Sequence, residues 1–109
     1  MSSDRLAQLR TLLADEPRDA FLRYAVALEL KRLGKGEEAL DTLEALVTEV
    51  PEHIPTYYQL ALLLADVGRT AEAMSACQAG ALRCLVDGDR RTRAELLALY
   101  ATLEDAMEP

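Results

Sequence analysis

The chain has 109 residues, half of them apolar but only 5% aromatic, with nineteen acidic side chains against twelve basic ones and a net charge of −7. One domain of this length buries roughly 65% of its unfolded surface, enough for a core without staples, and the balance of residues excludes collagen-like, low-complexity and disordered classes. The acidic excess repels phosphate backbones and anionic headgroups, which excludes nucleic acid and membrane surfaces as partners.

In chain order, the apolar spacing predicts a leading helix over residues 3–14 with Leu6, Leu9, Leu12 and Leu13 on one stripe. A unit of two helices follows from Pro17. Its first helix carries Leu22, Val26, Leu30 and Leu33, Gly34–Lys35–Gly36 breaks it, and its second helix carries Leu40, Leu43, Val47 and Val50. Glu37 and Glu38 suit the positive N-terminal end of that second helix. From Pro51 the design repeats: Leu60 and Leu64, a break at Gly68, then Ala73, Met74, Cys77, Ala81 and Cys84. Gly80 falls inside the last stripe, where a glycine costs ~1 kcal/mol against alanine, and this predicts a second helix packed very close to it. A trailing helix over residues 89–107 carries Leu96, Leu97, Leu99, Tyr100 and Leu103, with Arg90, Arg91, Arg93, Glu95, Glu104 and Asp105 as its polar side. Six helices result, and Met1–Ser2 and Glu108–Pro109 are expected to fray.

The two units match at an offset of 34 residues. Pro17, Tyr24 and Gly34 align with Pro51, Tyr58 and Gly68; Ala27, Leu28 and Leu30 with Ala61, Leu62 and Leu64; and Glu38, Ala39 and Ala45 with Glu72, Ala73 and Ala79. Proline and glycine are scarce here, and each aligned one stands where a helix must begin or stop, so the repeat is structural.

Catalytic and metal chemistry find little support. Cys77 and Cys84 are seven residues apart on one helix, ~10 Å along its axis, too far to pair with each other. His53 is the sole histidine, and no spacing of His and Cys forms a metal motif. Ser2, Ser3 and Ser75 stand in no nucleophile motif, and the acidic pairs Asp15–Glu16 and Glu37–Glu38 sit at helix ends, where solvated charge is the rule. The longest apolar run, Leu60 to Ala65, is far short of a membrane span, and MSSDRLAQLR has no secretory apolar region. With two unpaired thiols, the expected setting is the cytoplasm.

A 34-residue helix–turn–helix unit with small residues at Ala27, Ala39, Ala61 and Ala73 and a closing Pro51 resembles the tetratricopeptide repeat. Val26–Ala27 and Leu60–Ala61 stand where that pattern has Leu-Gly. Arg23 and Tyr57 replace its early tryptophan, Leu43 and Cys77 its second-helix aromatic, and Leu85 its second closing proline. Together with YAVALEL and PTYYQLALLL, the start from Ser2 to Pro17, which is like a second helix of such a repeat, resembles short stand-alone bacterial proteins of this type. The resemblance implies an all-α fold, a right-handed stack of antiparallel helical hairpins, in one domain: a capping helix in 1–16, repeats in 17–50 and 51–86, and a second cap in 87–109.

The resemblance also implies binding and not catalysis, with no cofactor and no metal: the first helices line a concave groove that holds a peptide or helix of another protein. Phe21, Tyr24, Leu28, Lys31 and Arg32 would contribute from the first unit, Tyr58, Leu62 and Asp66 from the second, and Thr92, Leu96 and Tyr100 from a third row. Tyr24 and Tyr58 suit either recognition or packing between hairpins. Relatives that clamp a C-terminal carboxylate use lysine and asparagine; this chain has no asparagine, which turns the expectation to an apolar or amphipathic segment. Lys31 and Arg32 suit an acidic side chain or simply a helix end. Alternatives are a small chaperone-like protein shielding a client's apolar segment, and a homodimer through Leu96, Leu99 and Tyr100.

Overall fold

The computed structural model describes residues 4–107, so the expected fraying of Met1–Ser2 and Glu108–Pro109 lies outside the described residues. These residues form six α-helices and no strand: α1 (Asp4–Asp15), α2 (Ala20–Arg32), α3 (Gly36–Glu49), α4 (Pro55–Asp66), α5 (Thr70–Asp87) and α6 (Arg90–Met107). The ends of α1 and α6 fall within one residue of the expected ones.

Local chemistry explains several of the boundaries. Asp19 caps α2, its side chain accepting from the Leu22 N–H at 2.8 Å, and Asp89 caps α6 by accepting from the Thr92 N–H at 3.0 Å. Pro55 opens α4, where a missing N–H costs nothing. Gly34 and Gly68 end α2 and α4 with φ of +79° and +82°, backbone that side chains strain to adopt. In both places the residue after the glycine donates back to the last turn, Lys35 to the Leu30 carbonyl at 2.9 Å and Arg69 to the Leu64 carbonyl at 2.8 Å. Gly88, which the sequence reading passed over, ends α5 in the same left-handed conformation.

The chain divides between Val50 and Pro51 into two compact units. In the first, α1 packs on α2 and α2 on α3; in the second, α4 packs on α5 and α5 on α6. Each therefore contains one helical hairpin, α2–α3 or α4–α5, and one further helix.

The first unit buries Leu6 and Leu9 of α1, Val26, Ala27 and Leu30 of α2, and Ala39, Leu40, Leu43 and Leu46 of α3. The second buries Tyr57, Leu60, Ala61, Leu63 and Leu64 of α4, Ala73, Cys77, Ala81 and Cys84 of α5, and Leu96 and Leu103 of α6. The repeated small residues Ala27, Ala39, Ala61 and Ala73 are all fully buried, as close helix packing requires. Leu22, Leu33, Val47, Val50 and Met74, expected on the same stripes, are half-buried at its edges.

The expected depth of two stripe residues needs correction, while the close packing expected at Gly80 is observed. Leu12 is 53% exposed and Leu97 is exposed as well, because α1 and α6 are each covered by one helix within their units and only a narrow stripe is buried. The helix predicted to press against Gly80 is present in duplicate: a Cβ there would meet Tyr57 of α4 and Leu96 of α6.

Candidate functional site

The cap at Asp19 sets the start of α2, and the 3.6-residue period then places Phe21, Tyr24, Ala25, Leu28 and Arg32 along one side of it. With Arg5 from α1 and Glu29 these residues line an open cleft of about 280 Å³ in the first unit. Phe21 is 70% exposed, Tyr24, Leu28 and Lys31 are half-buried, and Arg32 is exposed. Of the five residues expected from this unit, four therefore converge on one concavity; Lys31 is not among its lining.

Glu29 is the charged residue that sequence reasoning missed. Its side chain is buried, and its carboxylate accepts from Arg32 Nε at 2.9 Å and from a second nitrogen of the same guanidinium, while Arg5 Nε stands 3.9 Å away. A two-point guanidinium–carboxylate contact offsets the desolvation of a buried acid. The hydrogen bond to Glu29, and then its charge, raise the Arg32 pKa above its ordinary value. The signal was present: Glu29 occupies the register of the buried Leu63 one repeat on, with Arg32 three residues away.

In the second unit Tyr58, Leu62 and Asp66 follow one another at helical spacing on α4, the tyrosine and leucine half-buried and the aspartate exposed. Thr92 and Tyr100 of α6 are half-buried. Leu96 is different: it is fully buried, its Cδ1 2.9 Å from where a Gly80 Cβ would stand, so it belongs to the core and neither to a binding surface nor to a dimer face.

A second concavity of about 260 Å³ lies among Pro51, Tyr57, Ala79, Leu82, Arg83 and Val86. The Tyr57 hydroxyl donates to the Pro51 carbonyl at 2.6 Å, and Arg83 Nε donates to the same oxygen at 3.2 Å. Burial raises the Tyr57 pKa. Beside this hollow Leu82, Leu85 and Val86 leave α5 bare, each well over half exposed.

Other chemistry is sparse among the described residues. No group of three His, Cys, Asp or Glu side chains could hold a metal ion, and no helix is long and apolar enough to cross a membrane. Cys77 and Cys84 are free and buried, and desolvation pushes the Cys77 thiol up to about 11. His53 Nδ1 lies 2.8 Å from the Thr56 hydroxyl, which satisfies a fully buried threonine at the start of α4.

A scan against protein-family models finds no match, and a search of curated proteins finds none. Solved structures do match. A tetratricopeptide repeat domain protein from Salinibacter ruber is 30% identical, with a TM-score of 0.78 over 83% of this chain and 99% of that one. The TPR2B domain of yeast Sti1, in a complex with pHsp70, is 18% identical, with a TM-score of 0.84 over 93% of this chain and 81% of that one. A Bordetella parapertussis protein is 24% identical, with a TM-score of 0.80 over 99% and 95% of the two chains. The last two share the fold. The Salinibacter match carries sequence as well, at the identity and coverage that mark common descent, and this chain belongs to the tetratricopeptide repeat family.

Proposed function

We propose that the protein is an interaction module that holds a peptide or helix of another protein against a first-type helix, α2, and catalyses nothing itself. The observation that carries this reading is the α1–α2 cleft, where the mostly exposed Phe21 stands with Tyr24, Leu28 and two arginines. Large aromatic area with flanking guanidinium groups is the chemistry of protein recognition, and it lacks the paired nucleophile and base that a reaction needs. The complex of the Sti1 TPR2B domain with pHsp70 supports the reading, since a chain of this fold there engages another protein. The acidic balance and two unpaired thiols suit a cytoplasmic protein.

The test is affinity capture from a lysate with mass-spectrometric identification, comparing the intact chain with Tyr24→Ala/Tyr58→Ala after circular dichroism shows both folded. Enrichment of one protein by the intact chain alone supports the module. Equal capture by both forms removes the tyrosines from the site.

Self-association is a second reading, favoured by the bare Leu82, Leu85 and Val86 on α5. Light scattering of the intact chain against Leu82→Asp/Val86→Asp decides it: a dimer that the substitutions dissolve supports this reading, and a monomer of the intact chain ends it.

A further inference from the structure

We infer that the α1–α2 face is a docking site for an amphipathic helix of another protein, which packs on α1 as α2 packs on its counterpart α3 and brings a carboxylate to Arg5. The inference rests on the interaction reading and names the form and charge of the partner.

The 34-residue offset extends backwards into α1. Leu6, Leu9, Leu12 and Pro17 align with Leu40, Leu43, Leu46 and Pro51, so α1 is a helix of the second type, the counterpart of α3. Second-type helices pack on the helix before them, α3 on α2 and α5 on α4; among the described residues no helix precedes α1. Burial records the difference. Leu6 and Leu9 are buried like Leu40 and Leu43, but Leu46 is fully buried and its counterpart Leu12 is 53% exposed. Arg5 and Leu12 are seven residues apart, two turns along one side of α1. Arg5 also lines the cleft whose other wall, from α2, carries the exposed Phe21.

Charge selects the occupant. Arg5 stands at the register of the fully buried Ala39, so a cation replaces a small apolar contact. Glu29, the acid of the cleft, is held by Arg32 at hydrogen-bond distance, whereas Arg5 lies 3.9 Å from it and its side chain is 68% exposed. A carboxylate on the incoming helix gives that guanidinium its closer partner. A second copy fits poorly, because each copy carries a charge of −7.

The probe is a labelled peptide of the α2 sequence, residues 18–34, the helix that packs on the equivalent α3, prepared as one set with a single Glu walked along it and a matching Lys set. Fluorescence anisotropy against the intact chain should find a Glu peptide that binds more tightly than its Lys twin. Leu12→Asp and Phe21→Asp, both at exposed positions and checked for helicity, should each weaken it at least ~tenfold. Arg5→Glu should reverse the preference, from the Glu to the Lys peptide. Unchanged affinity in Leu12→Asp and Phe21→Asp overturns the inference, as does failure of every peptide to bind; the lysate capture then judges the interaction role by itself. Binding lost only in Tyr58→Ala overturns it while leaving that role standing, and a dimer that Leu12→Asp dissolves names a second copy instead.

Discussion

A Cβ built on Gly80 of α5 would lie 2.6 Å from the Cβ of Tyr57 on α4, closer than real side-chain carbons approach. The α4–α5 hairpin closes at this point because the position has no side chain, and Leu96 of α6 closes on the same spot at 2.9 Å. Tyr57 cannot retreat freely, since its hydroxyl is tied to the Pro51 carbonyl.

Gly80→Ala is therefore expected to destabilise. Alanine gains ~1 kcal/mol of helix propensity, but overpacking a close contact costs ~1–3 kcal/mol, and here the obstruction is the base of a side chain and not its flexible end. Urea denaturation monitored by circular dichroism checks the sign. A stabilised variant would show that the two helices part easily at this position.

The Glu29–Arg32 pair makes an asymmetric prediction. Removing the guanidinium in Arg32→Ala takes two hydrogen-bond donors from a buried carboxylate, with Arg5 3.9 Å away, and lowers stability. Glu29→Leu instead restores the apolar residue found at the equivalent Leu63 and should stay within ~1 kcal/mol of the parent. Thermal melts of the two variants test this, and equal losses would contradict it.

Asp89 links stability to acidity. Its carboxylate accepts from the Thr92 backbone N–H and then from the Thr92 side chain, which holds its pKa below the ordinary value. A depressed pKa in the folded state means the stabilisation is complete above the unfolded pKa and is lost as the pH falls through the folded one. The melting temperature should drop through the acid range, with a smaller drop in Asp89→Asn, whose cap does not titrate. Parallel acid profiles for the two proteins would remove Asp89 from the effect.

Cys77 should be inert in the native chain. Burial pushes its thiol up to about 11, so the reactive thiolate is scarce at neutral pH and is out of contact with solvent. Labelling with a thiol reagent, localised by mass spectrometry, should be slow in buffer and rapid in denaturant. Fast native labelling at Cys77 would mean that α5 opens locally.

The helices and their order were legible from residues alone because each rests on short-range chemistry: a 3.6-residue apolar period, proline where each repeat opens, and Gly34 and Gly68 where the first helices stop, whereas the Asp19 and Asp89 caps and the stop at Gly88 emerged from the structure. Gly80 could be read too, since a residue that weakens a helix needs a packing reason to be there. The candidate site was legible in part. The register of the repeat placed Phe21, Tyr24, Leu28 and Arg32 together, but could not rank neighbours on one stripe by depth, so Leu96 was read as surface and Leu12 as core. Depth depends on which helix covers which side, and that is settled by partners tens of residues away. The same dependence hid Glu29, whose burial becomes tolerable only when Arg32 folds back onto it, and left the exposed α1–α2 face to be found in three dimensions.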